Sequence, residues 1–587
     1  MSLTGQQKEA VANAGSLVLT ACPGSGKTRT IAAKLLQEIE TVRDTTRAIA
    51  CITYTNSAVQ EIELRISPEL KPGDDRHFTV STIHSFCLNY ILRPFAWRLA
   101  GFTGVPRILT RDKPDFEEIV RYACDQINYF NINTRDFDAF ESLNLDMTGA
   151  LIGSALTNDA VRLAAPHFWS RCDELGYIDF SNIIYKSYCL LRDHADIARS
   201  LSARFKWLLI DEFQDTTELQ IEILKLIHGT GRTMFFAVGD QAQSIYAFTG
   251  ARPELVEPFA AFVGARTDLS LSGNFRSSTK IVVHAERLFP RAPAMEALGS
   301  ARDCEVEPRF SLTDDTFNTI TDEFLPAIED LQISLGKATI LAKEWGSLIR
   351  LSRRLREFGV PVVGPGARPY RRSRLFATLA EQLCGAVIDP QPETTRQLER
   401  ALFNAIHDVT AYPRFDVFTF DGRVAIVKLL REAKRLSDAL GGADWLDAMS
   451  EYTGQILLGA DFVDTKQAGL FYASVQEMKA DMQRQNVDVA NLSIEDLGLF
   501  ASPNKALRLS TIHFAKGREY EAVALIGLRD GSIPDFRATS VSALAGEKRL
   551  FYVGVTRACR ILHYIAEPDN WGNPPSRFLG ADGVGII

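Results

Sequence analysis

A short glycine-rich segment, ACPGSGKT at 21–28, constrains the fold of this chain more than any other part of its sequence. It follows SLVLTA at 16–21, an apolar run typical of a strand. It precedes TRTIAAKLLQEIE at 28–40, where apolar residues recur at helical spacing. A strand, a tight loop and a helix in this order direct backbone N–H groups and a helix N-terminus at bound phosphates.

The residue types in this loop suit a nucleoside triphosphate. Gly24 and Gly26 permit a close backbone approach, Lys27 can reach the β- and γ-phosphates, and Thr28 can ligate Mg²⁺. The first position of the pattern is Ala21 instead of the usual glycine. The alternative is a glycine-rich turn without a ligand, which the GKT ending disfavours.

The rest of the chain alternates strand-like runs with helical patterns, and this predicts parallel sheets covered by helices. Two blocks of this kind are each interrupted by a mainly helical stretch, at 91–175 and at 381–504. The other predicted strands are AIACITY (48–54), WLLIDEF (207–213), MFFAVGD (234–240), KATILAK (337–343), LRLSTIH (507–513) and EAVALIGL (521–528).

The composition is that of a large globular protein. A length of 587 residues exceeds what one core usually supports, so several domains are expected. Hydrophobic residues at 46% and charged residues at 24% exclude a disordered or collagen-like chain. Nine cysteines without a C-x-x-C pair favour reduced thiols over a disulfide scaffold or a zinc site. With no secretory signal and no apolar run long enough for a membrane span, we predict a cytoplasmic protein that does not bind membranes.

A pair of acidic residues completes the chemistry that the loop suggests. LLIDEFQD at 208–215 places Asp211 and Glu212 at the end of an apolar strand. Asp211 can hold Mg²⁺ through water, and Glu212 can orient or deprotonate an attacking water. A helix-capping carboxylate has the same local pattern, so the pair is informative only together with the upstream loop.

Two arginines are candidates to stabilise charge on a transferring phosphoryl group, namely Arg276 in GNFRSS and Arg557 in YVGVTRA. Each taken alone is better explained as a surface arginine.

Taken in order, these segments resemble the motifs of the superfamily 1A helicases, the group of UvrD, Rep and PcrA, over nearly the whole chain. The matching segments are LTGQQKEAV (3–11), ACPGSGKT (21–28), TYTNSAVQEI (53–62), STIHSF (81–86), IDEFQD (210–215), VGDQAQSIYAFTGA (238–251), NFRSS (274–278), RLSTIHFAKGREYE (508–521), EKRLFYVGVTRA (547–558) and PSRFL (575–579).

The resemblance implies an α/β protein with two RecA-like P-loop domains, each built on a parallel sheet and each carrying a mainly helical insertion. ATP is then expected in the cleft of the two domains. The implied boundaries are 1–90 and 176–280 for motor domain 1A, 91–175 for insertion 1B, 281–380 and 505–587 for motor domain 2A, and 381–504 for a shortened insertion 2B.

The resemblance also implies ATP with Mg²⁺ as the cofactors, and roles for the matching residues. Gln7 is expected on the adenine base, Arg29 and Phe275 on its two faces, and Glu519 near the ribose. Gln243 is expected to sense the γ-phosphate, with Arg276 and Arg557 reaching it from the second domain or from near it. The implied catalytic set is Lys27, Thr28, Asp211, Glu212, Gln243, Arg276 and Arg557, the metal ligands are Thr28 and Asp211, and the loop residues around ATP are Ala21, Cys22, Pro23, Gly24, Ser25, Gly26, Lys27 and Thr28.

For DNA, the resemblance implies that the rings of Tyr54, Tyr246 and Phe248 stack on bases. Base–aromatic stacking tolerates any sequence, as a translocating motor requires. The residues implied at the DNA backbone are Asn56, His84, Thr511 and His513. Two alternatives stay open: Tyr246 and Phe248 stand at strand-like alternation and suit a core, and the two histidines suit satisfied polar positions.

Several departures from the family pattern matter. Phe275 replaces a tyrosine, Phe248 a common tryptophan, and Gln241 with Ala242 an acidic pair. The segment YRRSRLFATL at 370–379 lacks the acidic Glu-x-Lys-Asp element, which puts the usual coupling of the second motor domain to its insertion in doubt.

Local charge is uneven although the net charge is only −8. Residues 337–376 carry a net charge of +8, which suits either phosphate contacts or a solvated helix face. Residues 303–330 carry −8, which suits a solvated linker or a docking surface for a basic partner.

The function implied is an ATP-dependent single-stranded DNA translocase and 3′–5′ DNA helicase, acting on single-stranded and tailed duplex DNA, in DNA repair or anti-phage defence. The alternative is a DNA-gated ATPase that regulates a partner nuclease and unwinds little. The compact size resembles the helicase subunit of the Gabija anti-phage system, which would imply an OLD-family nuclease as partner.

Overall fold

The structure is a computed structural model that describes residues 2–111, 113–229, 231, 233–410, 416, 419–568 and 572–587. The chain forms two compact units. The first contains Met1–Val282, Phe289–Asp303 and Lys548–Tyr552, and the second contains Val283–Leu288, Cys304–Glu547 and Val553–Ile587.

The first unit is built on a six-stranded parallel sheet with the strand order β10-β1-β9-β8-β2-β3. All six residues of β2 are buried, as expected for a strand covered on both faces. The strands of this unit are β1 (Leu17–Ala21), β2 (Ala48–Thr53), β3 (Phe78–Thr82), β4 (Arg107–Ile108), β5 (Asn144–Leu145), β6 (Leu151–Ile152), β7 (Tyr177–Ile178), β8 (Phe205–Ile210), β9 (Met234–Gly239), β10 (Ser270–Leu271), β11 (Gly273–Asn274) and β12 (Glu296–Ala297).

The helices that accompany this sheet include three, α6 to α8, with a separate core around Phe116, Phe140 and Phe168. The helices that begin before Val283 are α1 (Gly5–Ala12), α2 (Lys27–Val42), α3 (Asn56–Ile66), α4 (Ile83–Cys87), α5 (Arg93–Phe95), α6 (Pro114–Asp125), α7 (Thr134–Glu141), α8 (Asp159–Leu175), α9 (Phe180–Asp193), α10 (Ala195–Arg204), α11 (Glu218–His228), α12 (Val256–Phe262) and α13 (Thr279–Leu288). The last of these, α13, continues into residues of the second unit.

The second unit has its own six-stranded parallel sheet, with the order β13-β18-β17-β14-β16-β15. Its strands are β13 (Arg309–Leu312), β14 (Ala338–Ala342), β15 (Val362–Val363), β16 (Leu507–Thr511), β17 (Tyr520–Leu525) and β18 (Ala558–Ala566).

Six helices of the second unit, α17 to α22, form a helical body with its own core around Trp445, Phe471 and Met478. The helices are α14 (Thr316–Thr319), α15 (Leu325–Asp330), α16 (Trp345–Glu357), α17 (Ala377–Ile388), α18 (Pro392–Val409), α19 (Phe420–Ser437), α20 (Gly442–Gly459), α21 (Thr465–Arg484), α22 (Ile494–Gly498), α23 (Ile512–Ala515) and α24 (Val541–Val555). In the described part of the chain, no helix is both long and apolar enough to cross a bilayer.

The predicted α/β class, two parallel sheets that each accompany a helical insertion, is confirmed. Several strand bounds differ from the sequence prediction. The run 507–513 is a strand only to Thr511, because the Thr511 hydroxyl accepts the N–H of Phe514 and starts α23. Strands β3 and β18 are among those that were not predicted; β3 overlaps the STIHSF segment at 81–86, and β18 begins at the last residue of the EKRLFYVGVTRA segment.

Candidate nucleotide and nucleic-acid sites

The loop between β1 and α2 has the backbone that a phosphate cradle needs. Gly24 and Gly26 adopt left-handed φ angles of +67° and +79°, which favour glycine. A Cβ on Gly24 would lie 2.7 Å from the Cβ of Arg276, and one on Gly26 would lie 2.8 Å from Nε2 of Gln7. Gly24 therefore excludes a side chain for steric as well as conformational reasons, whereas at Gly26 the left-handed backbone is the stronger reason, because the close atom is the end of the Gln7 side chain.

The other loop residues before Lys27 are mostly buried, and one of them, Ser25, has a hydroxyl without a hydrogen-bond partner among the described residues. Ala21, Cys22 and Pro23 are buried, and the Cys22 N–H donates to the carbonyl of Leu271 at 2.9 Å. Burial raises the pKa of the Cys22 thiol to about 12, so it is neutral at pH 7. The buried Ser25 Oγ has no hydrogen-bond partner among the described residues. An orphaned hydroxyl in a loop ahead of a sixteen-residue helix fits an anionic ligand.

Two carboxylates face this loop from the end of strand β8, which is separated from β1 by β9. Lys27 Nζ lies 3.3 Å from Oε1 of Glu212, and Glu212 adopts an uncommon φ of +51°. Burial raises the pKa of Asp211, the charge of Glu212 raises it further, and Lys27 opposes both. A cation beside Asp211 would favour its ionised form, so Asp211 and the half-buried Thr28 at the start of α2 fit the predicted Mg²⁺ ligands.

A hydrogen-bond network joins Glu212 to the predicted phosphate sensor, Gln243. The amide of Gln214 donates to Oε2 of Glu212 at 2.5 Å, and its oxygen accepts the N–H of Asp240 at 2.9 Å. Asp240 Oδ2 in turn accepts Nε2 of Gln243 at 2.6 Å. Glu212 and Gln243 are thus held by one chain of contacts that the sequence did not reveal, although Gln214 and Asp240 lie within matched motifs.

Arg291 completes this network from a segment without any motif. Its Nη2 donates to Oδ1 of Asp240 at 2.6 Å and to the hydroxyl of Tyr552 at 2.9 Å. The side chains of Arg291 and Asp240 are 14% and 1% exposed. No sequence signal marks Arg291, because its partner is set only by tertiary packing.

Replacing Arg291 with methionine is expected to destabilise the first unit by about 3–5 kcal/mol, since it leaves the Asp240 carboxylate buried without its cation. Denaturant unfolding of the full chain checks this, with Arg302→Met as the matched control. Arg302 is 57% exposed and pairs with Asp303 only at 3.7 Å, so its loss should change stability by less than about 1 kcal/mol. If both variants had the same free energy of unfolding, the buried pair of Arg291 with Asp240 would not contribute to stability.

A cavity of about 260 Å³ opens beside the phosphate loop, where the adenine of ATP was predicted. Gln7 forms part of its wall: its amide oxygen accepts the Thr4 N–H at 3.0 Å, and its amide donates to the Ser25 carbonyl at 2.9 Å. Phe275 also lines the cavity, whereas Arg29 donates to the hydroxyl of Ser2 at 3.2 Å. The roles of these side chains at the base remain predictions.

Arg276 lies in the first unit, and its contact with ATP remains a prediction. Its turn is fixed by Asn274, whose Oδ1 accepts the N–H groups of Arg276 and Ser277, each at 2.8 Å. The N–H of Phe275 donates to the Gly24 carbonyl at 2.9 Å, which ties the turn to the phosphate loop.

The second unit holds the other two predicted nucleotide residues, Arg557 and Glu519. Arg557 is 1% exposed, and its guanidinium donates to the carbonyls of Val553 and Arg518, each at 3.0 Å. Glu519 is exposed and lines a cavity of about 440 Å³ together with Arg518. Their contact with ATP remains a prediction.

The three predicted base-stacking residues lie together. Tyr54 and Tyr246 stack with ring centroids 5.2 Å apart at 15°, and Phe248 meets Tyr246 at 6.0 Å and 67°. Phe248 is 69% exposed and lies in a short 3₁₀ turn rather than a strand. The alternative of a core position is therefore wrong for Phe248.

The residues predicted at the DNA backbone differ in accessibility. Asn56 is exposed at the start of α3, whereas Thr511 is 4% exposed and its hydroxyl caps α23. Burial lowers the pKa of His84 to about 4, and burial with nearby lysines lowers that of His513. Near pH 7 His84 is therefore neutral, so its contact with a phosphate would be a hydrogen bond and not an ion pair.

The basic stretch 337–376 is largely neutralised by acidic residues of the same unit. Arg354 forms a two-pronged pair with Asp315 of the acidic stretch, with both contacts at 2.7 Å. Lys343 contacts Glu547 at 2.8 Å and Asp535 at 3.1 Å. These pairs favour structural roles for both charged stretches.

The same stretch ties the second sheet to its helical body, although the acidic element is missing. Arg374 donates to Asp481 of α21 at 2.8 Å and to Glu477 at 2.5 Å. Arg368 donates to Glu381 of α17 at 2.6 Å. Here the cations belong to the connecting segment and the anions to the helical body, so an ionic coupling exists without the Glu-x-Lys-Asp element.

Comparison with known proteins gives matches to two family models and to full-length relatives. The UvrD/REP helicase N-terminal domain matches residues 3–262, and the UvrD-like helicase C-terminal domain matches residues 466–567. The ATP-dependent DNA helicase UvrD1 of Mycobacterium tuberculosis is 26% identical, over 98% of this chain and 84% of the relative. The putative ATP-dependent DNA helicase YjcD of Bacillus subtilis is 25% identical over 98% and 80%, and the ATP-dependent DNA helicase Rep of Escherichia coli is 23% identical over 98% and 93%.

Proposed function

Because this chain belongs to the UvrD/Rep family of ATP-hydrolysing DNA helicases, we propose that it translocates along single-stranded DNA and unwinds duplexes in the 3′–5′ direction. One observation carries the proposal. Adjacent strands of the first sheet, β2 and β8, pair Ile52 with Ile210, and beyond these residues Tyr54 begins the aromatic row while Asp211 and Glu212 face the phosphate loop. The residues for hydrolysis and those for base stacking would thus lie at the carboxyl ends of two adjacent strands.

The side chains support a mechanism in which Glu212 is the base. In the structure Lys27 neutralises Glu212 at 3.3 Å, and a γ-phosphate of bound ATP would compete for Lys27. Glu212 could then orient the attacking water and accept its proton. Mg²⁺, when bound, neutralises charge on the phosphate oxygens, and Thr28 and Asp211 are the residues proposed to hold it.

Coupling to DNA is proposed to pass through the segment that follows Gln243. Gln243 is fixed to Asp240, and Tyr246 and Phe248 follow within five residues. A displacement of Gln243 by phosphate would therefore be transmitted to the stacked rings through a very short length of backbone.

Replacing Phe248 with alanine is expected to lower DNA-stimulated ATP hydrolysis about fivefold or more at limiting DNA, and to change basal hydrolysis less than twofold. The reason is that one base–aromatic stack contributes roughly 1–3 kcal/mol to binding, and the exposed ring of Phe248 belongs to the aromatic row with Tyr246. Phe130→Ala is the matched control, because Phe130 is 70% exposed in the same unit. Equal losses of basal and stimulated rates would assign Phe248 a structural role instead.

Strand displacement from duplexes with a 3′ or a 5′ tail tests the proposed function. Unwinding of the 3′-tailed duplex with ATP supports it. If only the 5′-tailed duplex is unwound, the protein moves in the 5′–3′ direction and the proposed polarity is wrong. ATP hydrolysis without any displacement would favour the alternative of a DNA-gated ATPase. A role in repair or anti-phage defence, and a partner nuclease, stay predictions from the sequence.

A further inference from the structure

The two sheets repeat one local arrangement at their carboxyl ends. The same four residues, STIH, end strand β3 at 81–84 and strand β16 at 510–513. In each case the threonine caps a helix: Thr82 Oγ1 accepts the Ser85 N–H at 3.2 Å, and Thr511 Oγ1 accepts the Phe514 N–H at 3.3 Å. The two segments are thus equivalent in backbone as well as in sequence.

The strands beside these segments correspond too. Strand β2 lies next to β3, and β14 lies next to β16, with the same parallel pairing. Each is followed by a short loop and a helix, α3 after β2 and α16 after β14. The loop after β2 carries Tyr54, a member of the aromatic row, and the loop after β14 leads directly into Trp345 at the start of α16.

Trp345 and Phe514 form an exposed aromatic pair at this second location. Their ring centroids are 6.1 Å apart at 68°, and the residues are 47% and 62% exposed. In the first unit Ser85 stands where Phe514 stands in the second. The large ring of Phe514 is therefore particular to the second unit, and packing does not account for it because most of its surface faces solvent.

The surroundings of the pair suit a polyanion that carries flat groups. His513 precedes Phe514 directly, and the charges of Lys343 and Lys516 act on its ring, together with burial, to lower its pKa. Lys343 is paired with Glu547 and Asp535, so the cation relevant to a ligand here is Lys516. Aromatic rings beside cations are the combination that binds single-stranded nucleic acid without regard to sequence. A protein partner would be expected to use a wider apolar surface than two rings.

We propose that Trp345 and Phe514 form a second base-stacking platform, on the second unit, for single-stranded nucleic acid. This inference rests on the proposed function, since it names further residues for the same ligand. It adds to the row of Tyr54, Tyr246 and Phe248 a stacking surface at the equivalent place of the other sheet.

The test compares binding of two oligonucleotides of equal length to the full chain, oligo-dT and an abasic strand that keeps only sugar and phosphate. The double variant Trp345→Ala with Phe514→Ala is expected to raise Kd for oligo-dT at least about fivefold and Kd for the abasic strand less than twofold. The conservative pair Trp345→Phe with Phe514→Tyr keeps both rings and should bind as the wild type does. Trp97→Ala is the control for loss of an exposed aromatic, because Trp97 is 72% exposed in the first unit.

The outcomes separate this inference from the proposed function. If the wild type prefers oligo-dT to the abasic strand and the double variant keeps that preference in full, the platform does not exist. An equal loss for both strands would overturn it as well, because stacking acts only on bases. If the wild type binds neither strand, the proposed DNA motor itself is refuted, whatever the variants do.

Discussion

ATP hydrolysis is expected to fall at least about 100-fold when Lys27 is replaced by alanine, because removing one group that stabilises charge on a transferring phosphoryl costs 10²–10³ in rate. Lys27 begins α2, directly after the left-handed Gly26, and lies 3.3 Å from Glu212, so it is positioned by the loop and by its ion pair. Binding of single-stranded DNA should change less than twofold, since stacking on bases is assigned to the rings of Tyr54, Tyr246 and Phe248 and not to Lys27.

Two further variants make the result for Lys27 specific. Lys27→Met keeps most of the side-chain volume and should lose the same activity, which separates charge from packing. Lys71→Ala removes a lysine that is 64% exposed in the same unit and should hydrolyse ATP as the wild type does. If Lys27→Ala kept most of its activity, the segment 21–28 would not be the phosphate-binding loop.

Replacing Glu212 with glutamine is expected to lower hydrolysis about 10²–10⁴-fold, the usual contribution of a general base, while ATP still binds. Glutamine can keep a hydrogen bond to Gln214 but cannot accept a proton from water. Single-turnover hydrolysis and a separate nucleotide-binding measurement distinguish the two steps.

Glu218→Gln supplies the control for Glu212, because Glu218 lies in the first turn of the next helix and is 43% exposed. It should hydrolyse ATP within twofold of the wild type. A Glu212→Gln protein with near-normal turnover would transfer the base role to another group, and a protein that no longer binds ATP would mean that Glu212 holds the loop together.

The sequence predicts those parts of the site that depend on neighbouring residues. The order of strand, GKT loop and helix fixes where Lys27 and Thr28 lie, and the apolar run before Asp211 fixes the end of β8. These two placements depend on local hydrogen bonding and on the burial of one continuous strand, and both leave a recognisable pattern of residue types along the sequence.

Other parts depend on partners that are distant in sequence, and the sequence alone could not show them. Arg291 is separated from Asp240 by fifty-one residues, and no periodic pattern predicts their contact. Phe248 illustrates a third case: its alternation with Tyr246 resembles a strand, but the backbone there turns and leaves the ring in solvent.

The charged stretches show why net charge predicts little at this scale. Residues 337–376 carry +8, yet Arg354, Arg368 and Arg374 each donate to a carboxylate of the same unit. Arg368 and Arg374 meet the buried carboxylates of Glu381 and Asp481, and these two pairs orient the helical body against the second sheet. The more exposed pair of Arg354 with Asp315 is expected to contribute little to stability. We therefore expect phosphate contacts to depend on fewer cations than the composition of the stretch indicates.

Hydrolysis and DNA binding are proposed to be coupled within one motor. Steady-state ATP hydrolysis by the isolated full chain, without and with saturating oligo-dT, measures this coupling. We expect a clear rise in rate with oligo-dT, and no such rise with the abasic strand at equal concentration. A rate that is the same under all three conditions, in a protein that binds both ATP and DNA, would contradict it.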